Sequence, residues 1–197
     1  MQILIIPSRN GMSHFQNEIN FRLNIKFYLV DFIWLMLNKN QMKNSEFKKS
    51  FLAGIFSIIT IGILTLLTYK TDFGIFLLAS FGSSMVLLYG YPESPFAQPK
   101  NVFFGHLVTA FIGLIVLHFV PLPIYLIIPL AVGLGVGLMI LLNITHPPAG
   151  GNPIIVIIGG VSYEYLLSPV ITGSLIIIVF AIIINRFILK KPYPNQK

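Results

Sequence analysis

A short polar stretch at residues 145–153 (THPPAGGNP) lies between two runs of almost purely hydrocarbon side chains, residues 122–142 and 154–160. Proline lacks a backbone N–H and breaks helical hydrogen bonding. Irregular backbone at membrane depth persists only where it is buried in protein or lines a cavity. His146 adds an ionisable side chain, which within a membrane segment indicates a functional site. These residue types predict a break between two helices, lined by groups able to bind a ligand.

The second helix of this break should favour a negatively charged ligand. Asn152 is a preferred N-cap residue and Pro153 a preferred first helical residue. The partly positive helix N-terminus would then point at the break. The candidate ligand-binding residues here are His146, Pro147, Pro148, Gly150, Gly151 and Asn152. Proline and glycine also serve as simple kinks and packing sites in membrane helices, and that structural interpretation stays open.

A second group of polar and small residues interrupts another apolar segment. Ser80, Gly82, Ser83 and Ser84 lie within residues 73–91, and His106 follows in the next segment. Their hydroxyl, backbone N–H and imidazole groups could reach the same cavity. Serine also bonds back to its own helix, and His106 could be structural or interfacial.

The polar loop at residues 92–101 could gate the mouth of such a cavity. Its candidate gating residues are Glu93, Gln98, Lys100 and Asn101. A loop of this length can equally be a solvated connection.

Composition places the chain among multi-pass membrane proteins. Hydrophobic residues make up 55% of it and charged residues 10%, against about 25% charged residues in soluble domains. There are no cysteines, so disulfides and thiolate metal sites are excluded. We expect no metal and no cofactor. The net charge of +7 comes largely from basic residues flanking apolar segments, which indicates membrane orientation and not nucleic-acid binding.

Residues 1–50 form an expected cytoplasmic N-terminal segment. Its apolar run at residues 27–37 is shorter than the roughly 20 residues that span a bilayer, so we expect an interfacial helix there. A lysine-rich linker at residues 38–50 follows. The main transmembrane domain then covers residues 51–190, and residues 191–197 form a cytoplasmic tail.

Six apolar segments are expected in the transmembrane domain: 51–69, 73–91, 102–120, 122–142, 154–166 and 168–189. Six crossings would leave both termini in the cytoplasm, with the protein in the inner (plasma) membrane. Four spans with re-entrant segments at 73–91 and 147–166 would do the same, so both topologies stay open.

Shifting the chain by 68 residues superposes the segments without a gap. Gly82 falls on Gly150, Ser84 on Asn152, and Gly105 on Gly173. The repeats would cover about residues 51–118 and 119–186. Three segments per repeat is an odd number, which predicts inverted repeats with paired broken helices, as in many secondary transporters.

Two separate blocks of residues carry a resemblance to a known family. His146–Gly151 (HPPAGG) is similar to the signature of the HPP family of integral membrane proteins. Residues 79–84 (ASFGSS), 91–101 (YPESPFAQPKN) and the following Gly105-His106 resemble that family's other block. The resemblance covers about residues 50–190. It implies a multi-span membrane protein and, as for plant plastid and cyanobacterial members, nitrite transport. The sixth signature position, Gly151 here, is often alanine in that family.

We therefore expect an all-α membrane permease or channel for a small anion, built from two three-segment halves. His146 could also carry a proton, which would make the protein a proton–anion symporter. No nucleophile-with-base pattern or phosphate-binding loop suggests an enzyme. The alternative is a non-transporting module that anchors or assembles partners through residues 27–37. Three questions stay open: whether the protein is a channel or a carrier, which substrate it transports, and whether it forms a homo-oligomer.

Overall fold

The computed structural model describes residues 44–72 and 74–195. The expected interfacial helix at 27–37 lies outside this range, as do residues 38–43 of the expected linker. The described part is helical and contains no strand. Its six α-helices are α1 Asn44–Lys70, α2 Ala79–Met85, α3 Pro99–Phe119, α4 Ile124–Leu141, α5 Asn152–Gly159 and α6 Thr172–Ile182.

Short 3-10 or π-helical segments extend several of these helices. A π-helical turn, Val86–Gly90, continues α2, and a 3-10 helix, Pro147–Gly151, leads into α5. Two π-helical turns, Leu166–Ile171 and Ile183–Ile188, flank α6. A further 3-10 turn, Pro95–Ala97, precedes α3.

Four helical stretches of the described chain are long and apolar enough to cross a membrane: Asn44–Lys70, Pro99–Phe119, Ile124–Leu141 and Leu166–Ile188. The expected all-α membrane class is thus confirmed. Helix α1 begins at Asn44, within the expected linker, with Glu46 in its first turn where an acidic side chain favours helix formation.

The expected helix break ahead of Pro147 is present. Helix α4 ends at Leu141, and Asn143 has a φ of 53°, a left-handed conformation that asparagine tolerates at helix ends. The chain resumes helical structure at Pro147.

The first break lies earlier than predicted. We expected Ser80–Ser84 to interrupt the segment, but these residues lie within the helical Ala79–Gly90 stretch, and the chain before Ala79 is non-helical. The backbone N–H groups of Phe76 and Leu77 both donate to Thr68 Oγ1, at 3.0 and 3.1 Å. The Thr68 hydroxyl thus gives two backbone N–H groups of the extended chain a hydrogen-bond acceptor. This helps the extended chain to persist among apolar residues.

After α1 the chain runs back along it. Near the start of α1, the Lys49 ammonium lies 4.4 Å from the Tyr91 ring centroid. Midway, Thr60 Oγ1 and the Tyr89 hydroxyl are 2.5 Å apart. Near the end of α1, Thr68 Oγ1 accepts the hydrogen bond from the Phe76 backbone N–H. The stretch from 76 to 91 therefore lies antiparallel to α1.

The stretch after the second break runs alongside α3 in the same direction. His146 Nδ1 lies 2.8 Å from the carbonyl oxygen of Phe96, just before α3 begins. At the far end of α3, the His118 ring stacks on Tyr163 with centroids 5.0 Å apart.

The last helical stretch runs back toward the loop before α3. Ser168 Oγ donates to the carbonyl of Ile75 at one end. Asn185 Nδ2 donates to the Leu88 carbonyl at 2.9 Å, and Tyr193 Oη to the Ala97 carbonyl at 2.7 Å. The main apolar core between these stretches includes Phe81, Leu88, Leu114, Val156 and Ile177.

Candidate functional site

The two breaks and α3 bring six polar side chains together in a buried polar cluster. All six are at most 6% exposed: Ser80, Ser84, His106, Thr109, His146 and Asn152. Five of the six were predicted as site residues from the sequence. Helix α2 supplies the serines, α3 supplies His106 and Thr109, and the second break supplies His146 and Asn152.

The Ser84 hydroxyl bridges the two histidines. Its Oγ lies 2.8 Å from His146 Nε2 and 3.1 Å from His106 Nε2. The imidazole rings are 4.9 Å apart at their centroids. Because Ser84 has one proton and two lone pairs, it can accept from one imidazole and donate to the other.

Asn152 closes the other side of the cluster. Its Oδ1 accepts from Ser80 Oγ at 2.7 Å. Its Nδ2 lies 3.1 Å from the His106 carbonyl oxygen and 3.0 Å from both Thr109 Oγ1 and His106 Nδ1. A carbonyl can only accept, so this geometry fixes which end of the amide faces α3.

These bonds determine the histidine tautomers. His106 Nδ1 faces the Asn152 amide donor and must accept, so its proton is on Nε2, facing Ser84. His146 Nδ1 faces the Phe96 carbonyl and must donate, so its Nε2 accepts from Ser84. Both imidazoles are then neutral and every ring nitrogen has a partner.

The expected N-cap roles of Asn152 and Ser84 are wrong. Asn152 has helical angles and begins α5, Gly151 occupies the cap position, and no side chain caps this helix. The reason is that Pro147–Gly151 already forms a helical turn ahead of Asn152, leaving its side chain free to enter the buried polar cluster. Ser84 likewise lies inside α2, whose cap residue is Leu78.

His106 is not interfacial, as we had considered, but fully buried at the centre of the cluster. Thr109 was missed, although it follows His106 by three residues and so lies on the same helix face. The hydroxyl of Ser83, another expected site residue, bonds back to the carbonyl of Ser80 within its own helix. Gly82 and Pro147 are exposed, while Pro148, Gly150 and Gly151 are half-buried beside the cluster.

Two glycines allow α3 to approach the second break. A Cβ on Gly105 would lie 2.8 Å from His146 Cβ and 3.3 Å from the Ile144 carbonyl oxygen. A Cβ on Gly113 would lie 2.9 Å from Pro153 Cα. Glycine at these positions therefore sets the distance between His106 and the second break.

The expected gating residues mainly brace the loop before α3. Gln98 Nε2 donates to the carbonyls of Pro92 and Ser94, and Asn101 Nδ2 donates to the Thr145 carbonyl at 2.9 Å. Glu93 and Lys100 have exposed side chains.

The chain after the last helix holds this loop in place. The buried Tyr193 hydroxyl bonds the Ala97 carbonyl, and Asn195 N donates to Gln98 Oε1 at 2.8 Å. Burial raises the pKa of Tyr193, so its hydroxyl stays protonated as a donor. Since the Phe96 carbonyl bonds His146, this contact connects the tail to the buried polar cluster.

Replacing Gly151 with alanine, the residue common at this position in the resembled family, should be tolerated. Apart from its chain neighbours, no heavy atom of the described residues lies within 4 Å of an added Cβ, and the φ of −79° suits any residue. Because alanine restricts the unfolded chain, we expect stability to rise by about 0.4–1 kcal/mol. Thermal unfolding in detergent measures this, and a marked loss of stability would contradict the geometry of the break.

Comparison with known proteins places the chain in one family. The family model described as "HPP, transmembrane region" matches residues 42–194. A transmembrane protein of Dictyostelium discoideum is 33% identical over 190 residues, covering 90% of this chain and 60% of that protein. Another transmembrane protein of the same organism is 29% identical over 187 residues, covering 86% of this chain and 64% of that protein.

The chain thus spans less than two thirds of the length of these relatives. No solved structure matches it. The HPPAGG stretch and the ASFGSS block both lie within the matched region and supply three residues of the buried polar cluster. Since the family model covers most of the chain, including all six helices that the structure describes, this protein belongs to the HPP transmembrane family.

Proposed function

We propose that this protein is a membrane transport protein, not an enzyme, that carries a small inorganic anion, with nitrite as the candidate substrate. The observation that carries the proposal is the buried polar cluster, which lies among helices long enough to span a membrane. Ionisable and polar side chains are costly at such depth and characteristically mark transport pathways. The cluster uses no cofactor or metal in this proposal.

The charge balance of the site supports an anion over a cation. All four carboxylate side chains within residues 44–72 and 74–195 are exposed, namely Glu46, Asp72, Glu93 and Glu164. Cation pathways commonly use acidic side chains, whereas the buried polar cluster offers hydroxyl, amide and imidazole donors. A proton on either histidine would add a positive charge that an anion can balance.

The two expected halves have matching elements. Adding 68 to the bounds of the helical Ala79–Gly90 stretch gives 147–158, close to the observed helical stretch from Pro147 to Gly159. Helix α3, Pro99–Phe119, maps onto 167–187, within the observed Leu166–Ile188.

The glycine contacts support a two-fold relation between the halves. Gly105, in the first half, packs against the Ile144 carbonyl in the second. Its equivalent, Gly173, packs against the Phe76 carbonyl in the first half, with an added Cβ at 2.5 Å. Phe76 is the equivalent of Ile144, so the contact is reciprocal. Reciprocal contacts are the property of an isologous, two-fold interface. We therefore infer inverted repeats.

Full crossing by all six segments agrees with the sequence in which residues of neighbouring stretches meet along the bundle. From Lys49 to Thr68, α1 covers roughly 30 Å at 1.5 Å per residue, about the thickness of the hydrocarbon core. The stretch from Phe76 to Tyr91 covers the same distance in reverse. A re-entrant segment would instead return to the face it entered.

Basic residues support cytoplasmic termini in a cell inner membrane. Six basic residues lie at the bundle end that carries the loop before α3, namely Lys48, Lys49, Lys100, Arg186, Lys190 and Lys191. The other end has Lys70 beside Asp72, with Glu164 in the loop after α5. The excess of basic residues supports a cytoplasmic location for the first end.

Single cysteines at Ser94 and Ser162 test the topology. They lie in loops at opposite ends of the bundle, so we expect a membrane-impermeant thiol reagent to label them from opposite sides. The natural chain has no cysteine, and the unsubstituted protein is therefore a clean control. Labelling from the same side would reject the inverted repeat and favour re-entrant segments.

Nitrite uptake into proteoliposomes tests the function itself. We expect uptake above the level of protein-free liposomes, a control required because nitrous acid crosses bilayers unaided. Uptake should be inhibited by excess small anions and unaffected by exchanging the cation. Absence of protein-dependent flux for every small inorganic anion tried would refute transport and favour an anchoring role.

A further inference from the structure

We propose that His106, Ser84 and His146 form a proton relay between the anion site at Asn152 and the loop before α3. The inference rests on the proposed transport function and specifies how a proton is coupled to it. The geometry is a continuous chain of hydrogen bonds in which one serine hydroxyl lies 3.1 and 2.8 Å from the two imidazoles. Among the described residues it is the only hydrogen-bonded link between them.

The chain has a defined direction at rest. Asn152 Nδ2 donates to His106 Nδ1, His106 Nε2 donates to Ser84, and Ser84 donates to His146 Nε2. His146 Nδ1 donates to the Phe96 carbonyl. Phe96 is 42% exposed, so the relay ends near the face that carries the loop.

No carboxylate contacts the relay from any described element packed around it. Helix α2 contributes Ser80 and Ser84, α3 contributes Thr109, and the second break contributes Asn152. The loop before α3 contributes only a backbone carbonyl, because the Glu93 side chain is exposed. A proton in the relay therefore has no fixed counter-charge, and an anion bound beside it supplies one.

Anion binding opens the relay at its inner end. Nitrite that arrives as nitrous acid brings a proton with it. Once the anion accepts the Asn152 Nδ2 hydrogen bond in place of His106, His106 Nδ1 is free to take up that proton. His106 then passes its Nε2 proton to Ser84, and Ser84 passes its own proton to His146 Nε2. His146 releases its Nδ1 proton at the loop, so one proton enters and one leaves.

The return step follows from the same contacts. After release, the unprotonated Nδ1 of His146 faces the Phe96 carbonyl, and two acceptors then oppose each other. This unfavourable contact favours return to the resting tautomers once the anion has left. Proton transfer backward along the same bonds would cancel the net movement, so the return takes place by reorientation of the Ser84 hydroxyl and the two imidazole rings.

Nitrite uptake driven by an inward pH gradient, with internal pH followed by a fluorescent dye, tests the relay. We expect Ser84→Ala to lose the gradient-driven component, measured as the ratio of nitrite uptake with the pH gradient to nitrite exchange at equal pH. Ser84→Thr keeps the hydroxyl and should keep the coupling. Ser57→Ala is the matched control, since Ser57 donates to the Ala53 carbonyl in its own helix. His146→Gln should behave as Ser84→Ala does.

Unchanged pH coupling in Ser84→Ala, with normal nitrite exchange, would overturn the relay and leave anion transport intact. Absence of nitrite flux in the unsubstituted protein would overturn both. A spectroscopic test is independent of flux: ¹⁵N NMR of the imidazoles should show His106 protonated at Nε2 and His146 at Nδ1 near neutral pH. Protonation of both rings at Nε2 would place two donors on Ser84 and overturn the relay.

Discussion

Replacing Asn152 with leucine is expected to reduce nitrite uptake to the level of protein-free liposomes. Asn152 is fully buried and is the group through which Ser80, His106 and Thr109 are connected. Leucine would leave Ser80 Oγ without its acceptor and His106 Nδ1 without its amide donor. Each buried polar group that loses its partner costs about 1–3 kcal/mol, so the unfolding temperature should also fall.

Asn185→Leu is the matched control for this variant. Asn185 is equally buried in another helix, and its Nδ2 donates to the carbonyls of Leu88 and Ala181, away from the buried polar cluster. Both variants should lose stability, but only the Asn152 variant should lose transport in protein that is folded by size-exclusion chromatography and thermal unfolding. Normal uptake by stable Asn152→Leu would refute the anion site.

Adding a methyl group at Gly173 is expected to have the largest effect on folding. The Cβ of Gly173→Ala would lie 2.5 Å from both the Phe76 carbonyl oxygen and the Phe81 ring. Overpacking of this kind typically costs about 1–3 kcal/mol, and here one of the obstructing atoms is backbone. We expect a lower unfolding temperature and a reduced yield of folded protein.

The two-fold relation predicts that Gly105→Ala behaves like Gly173→Ala. Gly133→Ala and Gly137→Ala are the controls, because no atom lies within 4 Å of a Cβ at either position. Similar losses of unfolding temperature at 105 and 173, with none at 133 and 137, would agree with reciprocal packing of the halves. Tolerance of alanine at both 105 and 173 would contradict the close approaches.

Local sequence rules predicted the helix breaks because proline, glycine and polar residues in an apolar chain leave few alternatives. The break at residues 142–146 follows directly from Pro147 and Pro148. The first break could not be located in this way, since residues 74–78 are mainly apolar. Its extended conformation depends on Thr68, a hydroxyl one helix away.

The site was predicted at the level of residue types and not of contacts. His146, Asn152 and Ser84 were singled out as polar residues at the breaks, and they do meet. The expected use of Asn152 as a cap was wrong because cap preferences describe a helix end by itself. Tertiary neighbours on α3 and α2 determine where the Asn152 amide is used, and no local pattern contains that information.

The contact between Tyr193 and Ala97 could not have been predicted from the sequence either. These residues are 96 positions apart, and a tyrosine in a short proline-containing tail has no distinguishing local signal. The 68-residue shift, in contrast, agrees with the helix bounds and with the equivalent contacts of Gly105 and Gly173, which support the proposed repeats. Repeats are visible in sequence when both copies keep the same backbone requirement, as these two glycines do.

A structure of the protein determined with nitrite tests most directly whether the buried polar cluster is the anion site. We predict the anion within hydrogen-bonding distance of Asn152 Nδ2 and a serine hydroxyl of Ser80 or Ser84, with the Asn152–His106 Nδ1 bond broken. Asn152→Leu, under the same conditions, should show no anion there. An unchanged cluster in protein that transports nitrite, with the anion bound elsewhere, would contradict this assignment.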